Sequence, residues 1–207
     1  MNENGQNKRE PAVRDVLSNV FADTSVSFAT IFELMRAVED GLDIQPLYEA
    51  GINPQQLRQV RLGLVGFRGE GLESGDPIDL LEYAKQGLSS LQLEIIRRAF
   101  NEGLPWSEIA SAKYNCCQMW ELYQGLKAGV DIKEYADNSY NFLQMEQLRL
   151  GLQQGIGVKP YADKSLSASE MEKRRLILSG QLKKPGIAGR VKNAVRALKG
   201  KRYQGGE

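Results

Sequence analysis

The chain has 207 residues, 42% hydrophobic and 26% charged, and contains no histidine and only two cysteines. Lack of histidine excludes Ser-His-Asp, Cys-His and histidine–metal chemistry, and two cysteines are too few for a zinc site. The formal charge of +1 conceals a division, because residues 173–207 carry a net +10 (eleven Lys or Arg, one acid) and residues 1–172 carry −9.

In chain order, residues 1–10 (MNENGQNKRE) lack the apolar stretch of a signal peptide and are expected to form a disordered start. No run of about 18 apolar residues follows anywhere, so no membrane-spanning helix is expected. Residues 11–26 are expected to hold a cap helix, with Val13, Leu17, Val20 and Phe21 at helical spacing.

From residue 27 to about 184 the chain repeats itself six times. Ser27, Asn53, Ser89, Asn115, Asn141 and Ser167 lie 26, 36, 26, 26 and 26 residues apart. Three residues after each stands Thr30, Gln56, Gln92, Gln118, Gln144 or Glu170. In five copies this is the grammar of a capping box, in which cap and partner satisfy each other's backbone donors. Apolar pairs such as Ile52/Leu57, Leu88/Leu93 and Tyr114/Met119 flank the caps as hydrophobic staples. A first helix of about three and a half turns is expected in each copy, and in four it stops at a left-handed glycine: Gly41, Gly103, Gly129 or Gly155. A second helix of five or six residues is expected after it, best signalled by Asp79 with Glu82 and Asp131 with Glu134. So short a helix needs a neighbouring copy to hold it.

A column of small residues, Ala37, Gly63, Ala99, Gly125 and Gly151, predicts close backbone approach between successive helices. The second copy carries an insertion near 66–77 with Gly66, Gly69, Gly71 and Gly75. It lacks the Gly-Lys-Ser/Thr ending and preceding strand of a phosphate loop, and is read as a contact loop. The sixth copy loses the apolar pattern and ends at Pro185-Gly186, as a terminal repeat should. These features predict an all-α solenoid of six short two-helix repeats with terminal helices.

Functional candidates are few. Arg61, Arg97, Arg149 and Arg175 occupy one column, with Tyr123 and Met35 at the same place in other copies. Such a ladder either grips a long anionic partner or ties copies together through acids such as Asp137 or Asp163. Trp106 shares the core column of Ile132 and Val158 and is expected to be buried. Trp120 stands where the next copy has Glu146, so it either anchors an interface or packs under the insertion loop. Cys116 and Cys117 are adjacent, which disfavours a disulfide and suits a reducing cytoplasm. In the tail, 185–207, Ile187, Val191, Ala194, Val195 and Leu198 form one helical face. Arg190, Lys192, Arg196 and Lys199 lie away from it, and Lys201 and Arg202 follow. That basic amphipathic pattern suits nucleic acid or a protein groove, including the acidic body itself, while the absence of Trp and Phe argues against a membrane.

The phrase shared by the fourth and fifth copies, Gln118-Met119 … Gly125-Leu126 … Gly129-Val130-Asp131-Ile132 … Tyr135-Ala136-Asp137 and Gln144-Met145 … Arg149 … Gly151-Leu152 … Gly155 … Tyr161-Ala162-Asp163, carries a likeness. It resembles short "QM-x-x-IR-x-GL-x-x-G-x-DV-x-x-YA" repeats in proteins of conjugative transposons and other mobile elements of gut Firmicutes. The resemblance spans about residues 27–180, strongest at 115–165. It implies a bacterial cytosolic accessory protein and assigns no functional residue. Together the readings predict a non-enzymatic binding scaffold without a cofactor, engaging a protein partner, with a tail able to contact nucleic acid. The alternative is an inhibitor of a host nucleic-acid-processing defence complex, of the anti-CRISPR or anti-restriction type.

Overall fold

The computed structural model describes residues 6–67, 69 and 75–182. All regular structure among them is helical: α1 (Gln6–Ala22), α2 (Phe28–Glu39), α3 (Gln45–Glu49), α4 (Pro54–Leu64), α5 (Leu81–Lys85), α6 (Ser90–Asn101), α7 (Cys116–Lys127), α8 (Phe142–Gln153) and α9 (Ala168–Leu178). The chain divides into two compact units, Met1–Phe142 and Leu143–Glu207. Helix α1 starts at Gln6, inside the stretch expected to be disordered, and buries Val20 while Phe21 points outward.

The cap residues start the helices as their spacing predicts. Asn53, Ser89, Asn115 and Ser167 form complete, reciprocal capping boxes with the Gln or Glu three residues on. Ser27 caps α2 without the return bond, because the Thr30 hydroxyl meets the Ser27 hydroxyl at 2.9 Å instead of reaching back to its backbone. The first helix of each copy then stops at a left-handed glycine. Gly66 and Gly180, with φ of 64° and 77°, end α4 and α9 one residue early and were not among the four expected stops.

The second element has the expected five residues in two copies and is shorter in the next three. It is a five-residue helix in α3 and α5, a three-residue 3-10 turn at Trp106–Glu108 and Ile132–Glu134, and only turns and bends at 158–161. Asp131 is the N-cap of its 3-10 turn, and Asp79 stands one residue before the N-cap of α5. Their carboxylates accept from Leu81 and Lys133, two residues on, which makes a local turn instead of a three-residue capping box.

In the first unit, α2, α4, α6 and α7 each pack on the next, with α1 against α2 and α3. Leu34, Leu57, Val60, Leu93, Ile96, Met119 and Leu122, one stripe per helix, are essentially inaccessible. In the second unit Met145, Leu148 and Met171 play the same part. Burying each such side chain contributes about 1.5–3 kcal/mol before entropy is set against it.

The small column answers to a side chain more than to neighbouring backbone. Ten residues after Gly125 and Gly151 stand Tyr135 and Tyr161, whereas Ala37 and Ala99 are followed at that distance by Leu47 and Ile109. The two hydroxyls donate to the carbonyls of Glu121 (3.0 Å) and Gln147 (3.3 Å), and a Cβ on either glycine would fall on the phenol oxygen. Gly63 alone meets backbone, the Ile78 carbonyl, at 2.6 Å from a Cβ placed there. Burial pushes the Tyr161 phenol up to about 12, so it stays a donor. Gly151→Ala is expected to cost about 1–3 kcal/mol through overpacking, more than the gain of about 1 kcal/mol in helix propensity. Adding Tyr161→Phe should recover most of the loss in a urea titration; a single variant as stable as the parent would refute the steric account.

Candidate partner-binding face

The arginine column is built into the joints between copies. Arg61 is 6% exposed, with Nε 3.1 Å from Glu33 and Nη1 2.5 Å from Asp40. Arg175, 5% exposed, repeats the geometry with neutral acceptors: Nε donates to Gln147 at 3.2 Å and Nη1 to Gln154 at 3.0 Å. In both cases the acceptors lie 28 and 21 residues earlier in the chain. Arg97 donates to Gln59 (3.3 Å) and, where the insertion begins, to the carbonyl of Phe67 (2.7 Å). Tyr123 fills the slot in its copy and donates to Glu102 at 2.7 Å; burial, aided by that bond, pushes its phenol up. Arg149 is half-buried and donates to Gln153 at 3.1 Å. For Arg61, Arg97 and Arg175 the geometry is therefore that of a tie between copies. Asp137 and Asp163 receive the Ser139 and Ser165 donors.

A second joint is made by the capping-box glutamines, and sequence reasoning missed it. Each Oε1 of Gln56, Gln92 and Gln118 accepts from its own cap backbone. Nε2 of the same side chain donates forward, to Leu88 (2.7 Å), Tyr114 (2.7 Å) and Tyr140 (2.6 Å), each the residue just before the next cap. In the second unit Gln144 donates likewise to Leu166 at 2.7 Å. The available signal was the choice of Gln over Glu: a carboxylate completes a capping box equally well but has no proton to send forward. The last copy has Glu170 there, held below its ordinary carboxylate value by the Ser167 backbone and hydroxyl.

With these positions turned inward, the side chains that differ between copies lie outside. Five residues after each cap stand Phe32, Arg58, Glu94, Trp120, Glu146 and Glu172, none of them buried. Trp120 is 39% exposed and leans on the Tyr123 ring at 5.2 Å. It lines a groove of about 420 Å³ between α6 and α7, with Leu91, Ile95, Phe142 and the two cysteines. Leu91 and Phe142 are themselves 57% and 42% exposed. Trp120 thus lines an open groove, and residues 68 and 70–74 of the insertion lie outside the described residues. Both thiols are free, 3.9 Å apart, and the hydrogen bond with Cys116 pushes the Cys117 thiol up. Trp106, expected in the core, is only half-buried. Its indole exceeds the space that Ile132 and Val158 occupy and packs edge-on against Tyr83 and Phe100, at 6.0 and 6.2 Å.

The base of the insertion is closed by Gly75 donating to the Gly66 carbonyl at 2.8 Å, an approach that leaves no room for a Cβ on Gly66. Beside it, between α4 and α6, lies a polar cleft of about 580 Å³ lined by Arg58, Arg97 and Arg98 together with Glu94 and Glu102. Gly71, the tail 185–207 and its basic residues Arg190, Lys192, Arg196, Lys199, Lys201 and Arg202 lie outside the described residues. Among the described residues no group of His, Cys, Asp or Glu is arranged to hold a metal ion, and no helix is long and apolar enough to cross a membrane.

No protein-family model, curated protein or solved structure matches this chain.

Proposed function

We propose that the chain is a non-enzymatic helical-repeat scaffold: a six-copy solenoid that presents its outer face to a protein partner. One observation carries the reading. The residues that recur from copy to copy are spent on joints, while the outward position five residues past each cap changes from Phe to Arg, Glu and Trp. A fold that holds its interior constant and varies one face is suited to recognition. The groove around Trp120 supplies a rigid aromatic anchor bordered by exposed aliphatic and aromatic surface, the composition of an interface centre. The +10 tail adds electrostatic attraction to nucleic acid. By resemblance of its repeats, we place the protein in the cytosol of a bacterium as an accessory of a mobile element.

The test is a capture experiment from a bacterial host in three arms: the full chain, the Leu91→Ser/Trp120→Ser variant, and a chain ending at residue 185. A protein retained by the full chain should be lost about tenfold or more from the groove variant, with melting temperature unchanged. Nucleic acid should be lost, steeply with salt, only from the truncated chain. Equal recovery of the protein partner in all arms would remove the groove from the proposal.

A further inference from the structure

The cleft between α4 and α6 holds positive charge that the joints do not neutralise. Arg97 sits deep in it, and its two hydrogen bonds go to uncharged acceptors, the Gln59 amide and the Phe67 carbonyl. A guanidinium has five N–H donors, so most of its capacity remains unused. The Phe67 ring covers one side, with the guanidinium carbon 5.6 Å from its centre. Arg58 lines the same cleft, is exposed, and makes no hydrogen bond or ion pair among the described residues.

The two acids that line the cleft, Glu94 and Glu102, are already engaged. Glu94 is bound by Arg98 at 2.6 Å, and Glu102 by Lys127 at 3.3 Å and by the Tyr123 hydroxyl at 2.7 Å. Two positive charges, those of Arg58 and Arg97, are thus left facing one polar cavity. Burial, with the neighbouring Arg98 and Arg58 charges, holds the Arg97 guanidinium below its ordinary value against the opposing pull of Glu94, a cost that a bound anion would offset. The corresponding arginine of the preceding joint, Arg61, has Glu33 and Asp40 as its anions.

We infer that this cleft binds a dianionic phosphate group, free or as a monoester, between Arg58 and Arg97. Planar guanidinium forks match phosphate oxygens in pairs, and two uncompensated cations match a dianion in charge.

The experiment follows arginine Nε–H signals of the full-length protein by NMR during titration with inorganic phosphate, phenyl phosphate or dimethyl phosphate at mildly alkaline pH. Inorganic or phenyl phosphate should shift the Arg97 and Arg58 signals saturably, and whichever of the two binds tighter identifies free phosphate or a monoester as the source. Dimethyl phosphate, a monoanion, should bind about tenfold more weakly. Arg58→Gln, on an exposed side chain, should weaken binding about tenfold, and Arg97→Lys should weaken it too by losing the fork. Arg36→Gln, at an exposed arginine of α2 outside the cleft, is expected to leave affinity within about twofold. No saturable shift, unchanged affinity in Arg58→Gln, or equal binding of dimethyl phosphate would overturn the assignment.

Discussion

Arg61→Met is expected to lower the unfolding free energy by about 3–5 kcal/mol, the typical cost of stranding one member of a buried ion pair. The stranded group is Glu33, only 8% exposed, whose carboxylate would lose the Nε donor at 3.1 Å. Asp40 lies nearer solvent and can exchange its lost partner for water. The control is Glu33→Gln/Arg61→Met, which removes the buried charge and should restore most of the loss. Glu33→Gln alone should be nearly neutral, since it recreates the Gln–Arg pairing seen at Gln59/Arg97 and Gln147/Arg175. Denaturant unfolding of the three variants decides the matter. An Arg61→Met protein as stable as the parent would show that the column does not tie copies together.

Gln118→Glu isolates the second joint. The substitution keeps Oε1 for the capping box with Asn115, as Glu170 does with Ser167, and removes only the forward donor. At neutral pH it sets a carboxylate against the Tyr140 and Asn138 carbonyls, which Gln118 now approaches at 2.6 and 3.0 Å. The expected cost is about 2–4 kcal/mol, a buried acceptor left unmatched plus a charge penalty. Protonation would return a donor, so the folded state should raise the carboxyl above its ordinary value. The linkage then has a definite sign: the variant approaches the parent below the unfolded-state value and loses stability as pH rises through the folded-state one. Melting curves at acid and neutral pH test this. A deficit of equal size at both would point to lost packing instead of a lost proton donor.

The elements most legible from the residues are those set by a single local constraint. A cap needs one side-chain oxygen, and a helix stop needs one residue that tolerates positive φ. Both recur at a fixed spacing and both are found where expected. Features that depend on a partner far along the chain were harder to read. The column of Arg61, Arg97 and Arg175 was visible, but its acceptors are a carboxylate pair, an amide with a carbonyl, and two amides. No one residue type 28 positions back announces that slot. Asp79 and Asp131 marked the start of a second element correctly but not its bonding: an aspartate serves a two-residue turn as readily as a three-residue capping box, and the following Glu does not choose between them. Trp106 occupied a core column in register yet was too bulky for it. Trp120 was readable as outward-facing because its counterpart, Glu146, is a residue that would not be buried unpaired.

The forward-donating glutamines also bear on how such an array changes length. Their acceptors are main-chain oxygens, which every amino acid provides, so the receiving copy need not match its predecessor in any side chain. The bond spans 22 residues from Gln92, Gln118 or Gln144 and 32 from Gln56, the longer loop being looped out without disturbing it. Gain or loss of whole units by unequal recombination would therefore yield foldable products at once, leaving reach and surface chemistry to selection while the interlocking is inherited ready-made.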